Sequence, residues 1–245
     1  MSSFINSHVT GPDWRELCDR ALAQIGDVSG RQLAFVYLAD DLAGDADRVV
    51  DHLRDRTGLP HWVGCVGMGL CSTGRETYQE PGVSILVTPF EATDFRIIPT
   101  LDGDMGDWLD ATRDWRERNL ASVAVVHGDP GSAGLPALVS ALSEGLHGGF
   151  LVGGIASGEK LAPQIADRAT GGGLSGVLFS GNVAISTGLT QGCSLIGHKH
   201  RVTRCQRNII ESIDDRPALE VFNQDIGEIL ARDLNRAAGY IFAGL

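Results

Sequence analysis

The sequence predicts a mixed α/β fold (α+β) in which duplicated β-α-β-β units form packed sheets flanked by helices, the halves being related by a pseudo-twofold axis. Two observations lead to this reading. Apolar, β-branched runs suited to strands alternate with stripes at three- and four-residue spacing suited to helices. The second half also repeats the first: Asp40 matches Asp129 and Val63 matches Val152, both at an offset of 89 residues (129 − 40 and 152 − 63). Further on, SILV at Ser84–Val87 matches GVLF at Gly176–Phe179, displaced by a short insertion in the intervening loop. A period this long is that of two half-domains, because solenoid repeats recur every 20 to 50 residues or so.

Taken in order, Trp14–Ile25 (WRELCDRALAQI) carries an amphipathic stripe, and Leu33–Ala39 (LAFVYLA) is a continuous apolar run suited to a strand covered on both faces. Asp45–Arg56 reads as a helix stopped by Gly58 and Pro60. His61–Gly74 (HWVGCVGMGLCSTG) then alternates apolar residues with glycine, so one side of an extended segment is stripped of side chains. Glycine at such positions marks close approach by another strand or by a ligand, and both readings stay open. Val83–Pro89 and Asp94–Pro99 look like neighbouring strands, Gly106–Asn119 a helix and Val123–His127 a strand. After a turn at Asp129–Gly131, Leu135–Leu146 reads as a helix and Phe150–Ile155 (FLVGGI) as the counterpart of the first glycine strand. Gly176–Ser186 suggests a hairpin about Gly181–Asn182. Beyond Arg201 the expectation is a strand up to Ile213, a turn at Asp214–Asp215, a helix with Pro217 in its first turn, and a further helix over Asp225–Ala238.

Composition narrows the partners. The 43% hydrophobic content supports a substantial core, and the net charge of −11 disfavours nucleic acid and anionic membrane surfaces. Neither a secretory leader nor a membrane-length apolar run is present, so the expected location is cytoplasmic. The five cysteines are scattered with no C-x-x-C pair, which indicates neither a disulfide framework nor a zinc site.

No motif points to catalysis: the chain has no Walker loop, no G-x-S-x-G elbow and no H-E-x-x-H, so it is read as a binding protein and not an enzyme. The candidate ligand contacts are the glycine-strand residues Gly64, Cys65, Gly67, Gly69 and Cys71 and their counterparts Gly153, Gly154 and Ser157. His127 joins them at the carboxyl edge of its strand, where ligands of α/β proteins gather, and Gln191 as an uncharged polar group beside glycine. Cys65 and Cys71 would share a face of an uninterrupted strand, as a thiol site or a packing pair. His198 and His200 could ligate a metal or haem, or could simply belong to a solvated loop; no other metal ligands are expected. Asp40 and Asp41 suit a cationic group or a helix cap.

The glycine strand WVGCVGMGLCSTG, the preceding LAFVYLADD and the later GCSLIGHKHRVTRCQRNIIESIDDRPALEVFNQDIG together resemble the FIST proteins. The resemblance implies an N-terminal FIST-type domain over residues 1–196, with half-repeats at about 30–100 and 120–190, and the beginning of a C-terminal FIST-type domain over 197–245, cut short. It also implies an intracellular sensory and signal-transduction module that binds a small, amino-acid-like ligand and transmits to a partner protein such as a histidine kinase. One alternative is a haem-binding nitric oxide sensor regulating such a kinase, with His198 and His200 as candidate ligands; a second is a thiol-dependent enzyme. The paired glycine strands near the axis are the expected ligand surface.

Overall fold

The computed structural model describes residues 3–146, 149–158, 161–188, 196–207, 209–232 and 241, which fall into two compact units, Met1–Thr187 and Gly188–Leu245.

The first unit opens with strand β1 (Ile5–Thr10) and helix α1 (Trp14–Ile25). The Asp13 side chain caps α1 by accepting the Glu16 backbone N–H at 2.9 Å, and Gly26, at φ 75°, ends it. Strand β2 (Leu33–Ala39), a 3₁₀ turn (Asp40–Asp45), helix α2 (Ala46–Thr57) and strand β3 (His61–Gly67) follow. Strands β4 (Gly69–Ser72) and β5 (Arg75–Tyr78) make a hairpin, and β6 (Gly82–Val87) completes the first half. The second half runs β7 (Phe95–Leu101), α3 (Gly106–Arg118), β8 (Val123–Gly128), α4 (Leu135–Gly145) and β9 (Phe150–Ile155). It closes with the short β10 (Gln164–Ala166) and β11 (Ala169–Thr170) and with β12 (Leu174–Phe179).

These strands make two main sheets, ordered β1-β6-β2-β3-β10-β11 and β7-β12-β8-β9. The first four strands of one sheet and all four of the other have the same order and sense. β2 and β8 lie parallel to β3 and β9 respectively, and antiparallel to β6 and β12. The duplication is therefore real, and each unit begins with a further strand and helix, β1-α1 in one half and β7-α3 in the other. The match of Ser84–Val87 to Gly176–Phe179 falls on β6 and β12, whose first residues, Gly82 and Leu174, keep the same spacing.

Three apolar cores order the layers. Leu17, Ala21, Val49 and Leu53 bury α1 and α2 on one face of the first sheet, through Val36, Leu38, Trp62 and Val66. Trp115, Leu138 and Leu142 bury α3 and α4 on the second sheet, through Ala124, Val126, Leu174 and Leu178. Between the sheets sit Leu33, Phe35, Val63, Phe95, Val177 and Phe179. The result is four layers, helices–sheet–sheet–helices, because each strand of the pair β2/β3 and of β8/β12 is apolar on both faces.

Several expectations change. Val83–Pro89 and Asp94–Pro99 are not neighbours: β6 pairs with β1 and β2, whereas β7 begins the second repeat and pairs with β12. No hairpin forms about Gly181–Asn182; Ser180 instead caps a turn, its Oγ accepting the Asn182 N–H at 3.2 Å. Strand β3 stops at Gly67, so Cys65 and Cys71 do not share a face: Cys65 is half-buried between the sheets and Cys71 is exposed on the hairpin opposite Glu76.

In the second unit, β13 (Val202–Gln206) and β14 (Ile209–Ile213) form an antiparallel pair where one strand is expected, and β15 (Arg216–Pro217) joins its edge. Helix α5 (Ala218–Ala231) is interrupted at Gly227, at φ 78°. Most of the expected continuation to Ala238 lies outside the described residues, as does Gln191.

Candidate functional site

The parallel strands of each half end on the same side of the sandwich, and there the inter-sheet core changes from apolar to polar. On β2 the side chains facing the second sheet are Leu33, Phe35 and then Tyr37; on β8 they are Val125 and then His127. Tyr37 Oη and His127 Nε2 share a hydrogen bond of 3.2 Å across the sheets, with the rings edge to face at 5.6 Å. Strand pairing extends the cluster. Tyr37 lies beside Cys65 on β3, Cys65 opposite Gln164 on β10, and His127 opposite Ser175 on β12. Gln164 reaches back towards β12, its amide N–H groups donating to the Gly172 and Gly173 carbonyls at 2.9 and 3.1 Å. Five side chains, Tyr37, Cys65, Gln164, Ser175 and His127, thus form a ring of neighbours that closes across the two halves.

Three members of the ring are buried and incompletely satisfied, while Tyr37 and Cys65 are half-buried. His127 is 4% exposed, and Gln164 and Ser175 are 0% exposed. Yet His127 Nδ1, Gln164 Oε1 and Ser175 Oγ have no hydrogen-bond partner among the described residues. An unsatisfied buried polar atom costs about 1–3 kcal/mol, so three of them on adjoining strands require an explanation. Burial also removes charge from the site. It pulls the His127 imidazole down to about 4 and pushes the Cys65 thiol up to about 12, and it raises the Tyr37 phenol with a smaller contribution from Cys65. At neutral pH every member of the ring is uncharged.

Access is from β9. Gly154 lies opposite His127 and is exposed, and a Cβ built there would meet nothing within 4 Å. On the same face of β9, Val152 and Phe150 are 37% and 43% exposed, an apolar ledge leading to the ring. A separate cavity of roughly 410 Å³ lies just beyond the strand ends, walled by residues that include Asp129, Pro163, Gly158 and Gly171. Its Asp129 carboxylate is occupied in holding loops, accepting the Gly131 and Gly172 N–H groups at 2.7 Å each.

The remaining candidates separate by position. Gly64 and Gly153 are equivalent, and a Cβ on either would overlap the carbonyl of its partner, Val36 or Val126, so both admit close approach of a neighbouring strand. Both turn towards the helices, away from the ring. Gly69 packs against Tyr78 at the base of the hairpin. The two glycine strands are linked past their ends, where Ser157 Oγ accepts the Met68 N–H at 3.1 Å beside Gly67. In the second unit His198 is exposed, and His200 donates from both ring nitrogens, to Asp214 at 2.6 Å and Asp225 at 2.8 Å, which raises its pKa. With both nitrogens engaged in this arrangement His200 has no lone pair for an iron, so it does not fit a haem ligand as placed. Among the described residues no group of three or more His, Cys, Asp and Glu side chains could hold a metal, and no helix is long and apolar enough to cross a membrane.

The contacts expected from residue type and strand position include His127, Cys65 and Gly154 but not Tyr37, Ser175 or Gln164. A phenol in LAFVYLA and a hydroxyl in LSGVLF, each interrupting a buried apolar strand, are the signals that single out the first two. Gln164 carries no such signal, since its place depends on a three-residue strand paired far along the chain.

A family model for the FIST N domain matches residues 32–216, well over half of the chain, and no curated protein matches it.

Proposed function

Since the chain belongs to the FIST N domain family, which is associated with signal transduction and small-ligand sensing, we propose that its first unit is a cytoplasmic sensor that receives a small ligand at the Tyr37–Cys65–Gln164–Ser175–His127 ring. The observation that carries this reading is the coincidence of three buried, unpartnered polar atoms on neighbouring strands, one of them on His127, which pairs with the exposed Gly154. A ligand that completes those hydrogen bonds offsets the cost of burying the three polar atoms without a protein partner. The ring draws on both repeats, so a ligand there bears on the packing of one half against the other. A preference for one arrangement shifts an equilibrium that a signalling partner, such as a histidine kinase, reads. The amino-acid-like ligand implied by the family resemblance would present an uncharged end to the ring.

The neutral thiol of Cys65 favours a sensor over a thiol-dependent enzyme, because the thiolate is the nucleophile. The test is a thermal-shift screen of metabolites run in parallel on the wild type and on Gly154→Phe, which fills the open space beside His127. Compounds that stabilise the wild type and not the variant are expected; stabilisers indifferent to the substitution would place the site elsewhere.

A further inference from the structure

Granted that the ring is the ligand site, we infer that its ligand presents an uncharged carboxamide-type head, one that donates and accepts hydrogen bonds at once, carried on an apolar body. Three observations support the inference independently of the family. First, the ring offers both kinds of partner. Gln164 Oε1 is an acceptor only, because its amide N–H groups are already committed to Gly172 and Gly173. Ser175 Oγ donates or accepts. A neutral imidazole leaves Nδ1 as a donor when Nε2 accepts from Tyr37, and as an acceptor when Nε2 donates to it. A carboxamide, with one carbonyl oxygen and two N–H groups, complements the set in either tautomer. A carboxylate has nothing to give Gln164 Oε1, and an ammonium nothing to accept from a donating Nδ1.

Second, the ring provides no counter-ion. Its five groups are neutral at pH 7, and a buried charge without a partner is opposed by the cost of removing it from water. Third, the approach is apolar: Val152 and Phe150 flank Gly154 on the same face of β9 and are exposed. A flat hydrophobic body resting there places its head beside His127.

The probes are benzamide, benzoate and benzylamine, which share a body and differ in the charge of the head. Each is titrated into wild-type protein and into Ser175→Ala, with the His127 imidazole followed by NMR. The expected result is a saturable shift of the His127 signal with benzamide, at least about tenfold weaker binding of the two charged probes, and weaker benzamide binding in Ser175→Ala. Benzoate or benzylamine matching benzamide overturns the assignment of the head while leaving the ring as the site. Failure of all three probes to move His127, with shifts elsewhere or none at all, overturns the ring itself.

Discussion

His127 should make the first unit sensitive to mild acid, and the structure sets both the direction and the size of the effect. Burial between the sheets lowers its pKa from the ordinary 6.5 to about 4. The unfolded chain therefore takes up a proton as pH falls below 6.5, whereas the folded protein resists until about pH 4. The stabilisation is fully present above pH 6.5 and is lost as pH falls to 4. A shift of this size corresponds to about 3 kcal/mol in total, of which about 2 kcal/mol is gone by pH 5. His8, also buried and lowered, contributes in the same sense, so the effect is read as a difference between wild type and His127→Gln. Urea unfolding of both proteins at pH 7, 6 and 5 should show the wild type losing about 2 kcal/mol relative to the variant across that range. A difference constant to within about 0.5 kcal/mol would mean that His127 protonates freely in the folded state and that burial does not hold the ring neutral.

Other substitutions separate the ring from its scaffold. Ser175→Ala removes an unpartnered buried hydroxyl and should raise stability by about 1 kcal/mol, or roughly 2–4 °C in melting temperature, while weakening ligand binding; a loss of stability would show that the hydroxyl is satisfied. Gly64→Ala and Gly153→Ala should each cost about 3 kcal/mol or more in urea unfolding, because the new Cβ meets a backbone carbonyl that cannot give way. In timed alkylation at pH 7.5 followed by mass spectrometry, the exposed Cys71 and Cys205 should react well before Cys65, whose thiol is held at about 12. Equal rates would refute the burial of that thiol.

Where pairing is local or both faces are apolar, the structure follows the sequence closely. Trp14–Ile25, Leu33–Ala39 and Phe150–Ile155 begin and end as their patterns predict, since their stripes and runs are bounded by caps and glycines. The repeat is legible because β2 and β6 in one half and β8 and β12 in the other are buried apolar strands, although β9 is exposed where its counterpart β3 is covered by β10. What escaped were strands whose residues are polar on one side and whose partners are distant. β1 (INSHVT) is held by β6 and by His8, whose ring nitrogens engage Ser72 and Thr77 at 2.8 and 2.9 Å. The β4–β5 hairpin is largely exposed, and β10 exists only because β3 offers it an edge. The same distinction governs the site. His127 and Cys65 could be picked from residue type and strand position, but a ring that closes through pairing of β3 with β10 and packing of β2 against β8 is a property of tertiary register. The glycines meanwhile serve the sheets: Gly64 and Gly153 relieve contact with a backbone carbonyl, and only Gly154 leaves room for something else.

The central claim is that the ring binds a ligand, and high-resolution density from protein purified without denaturation tests it most directly. The expected result is a non-water molecule beside Gly154, within hydrogen-bonding distance of His127 Nδ1, Ser175 Oγ and Gln164 Oε1. The contradicting result is a ring in which those three atoms hydrogen-bond only to one another or to water, with side chains filling the space next to Gly154.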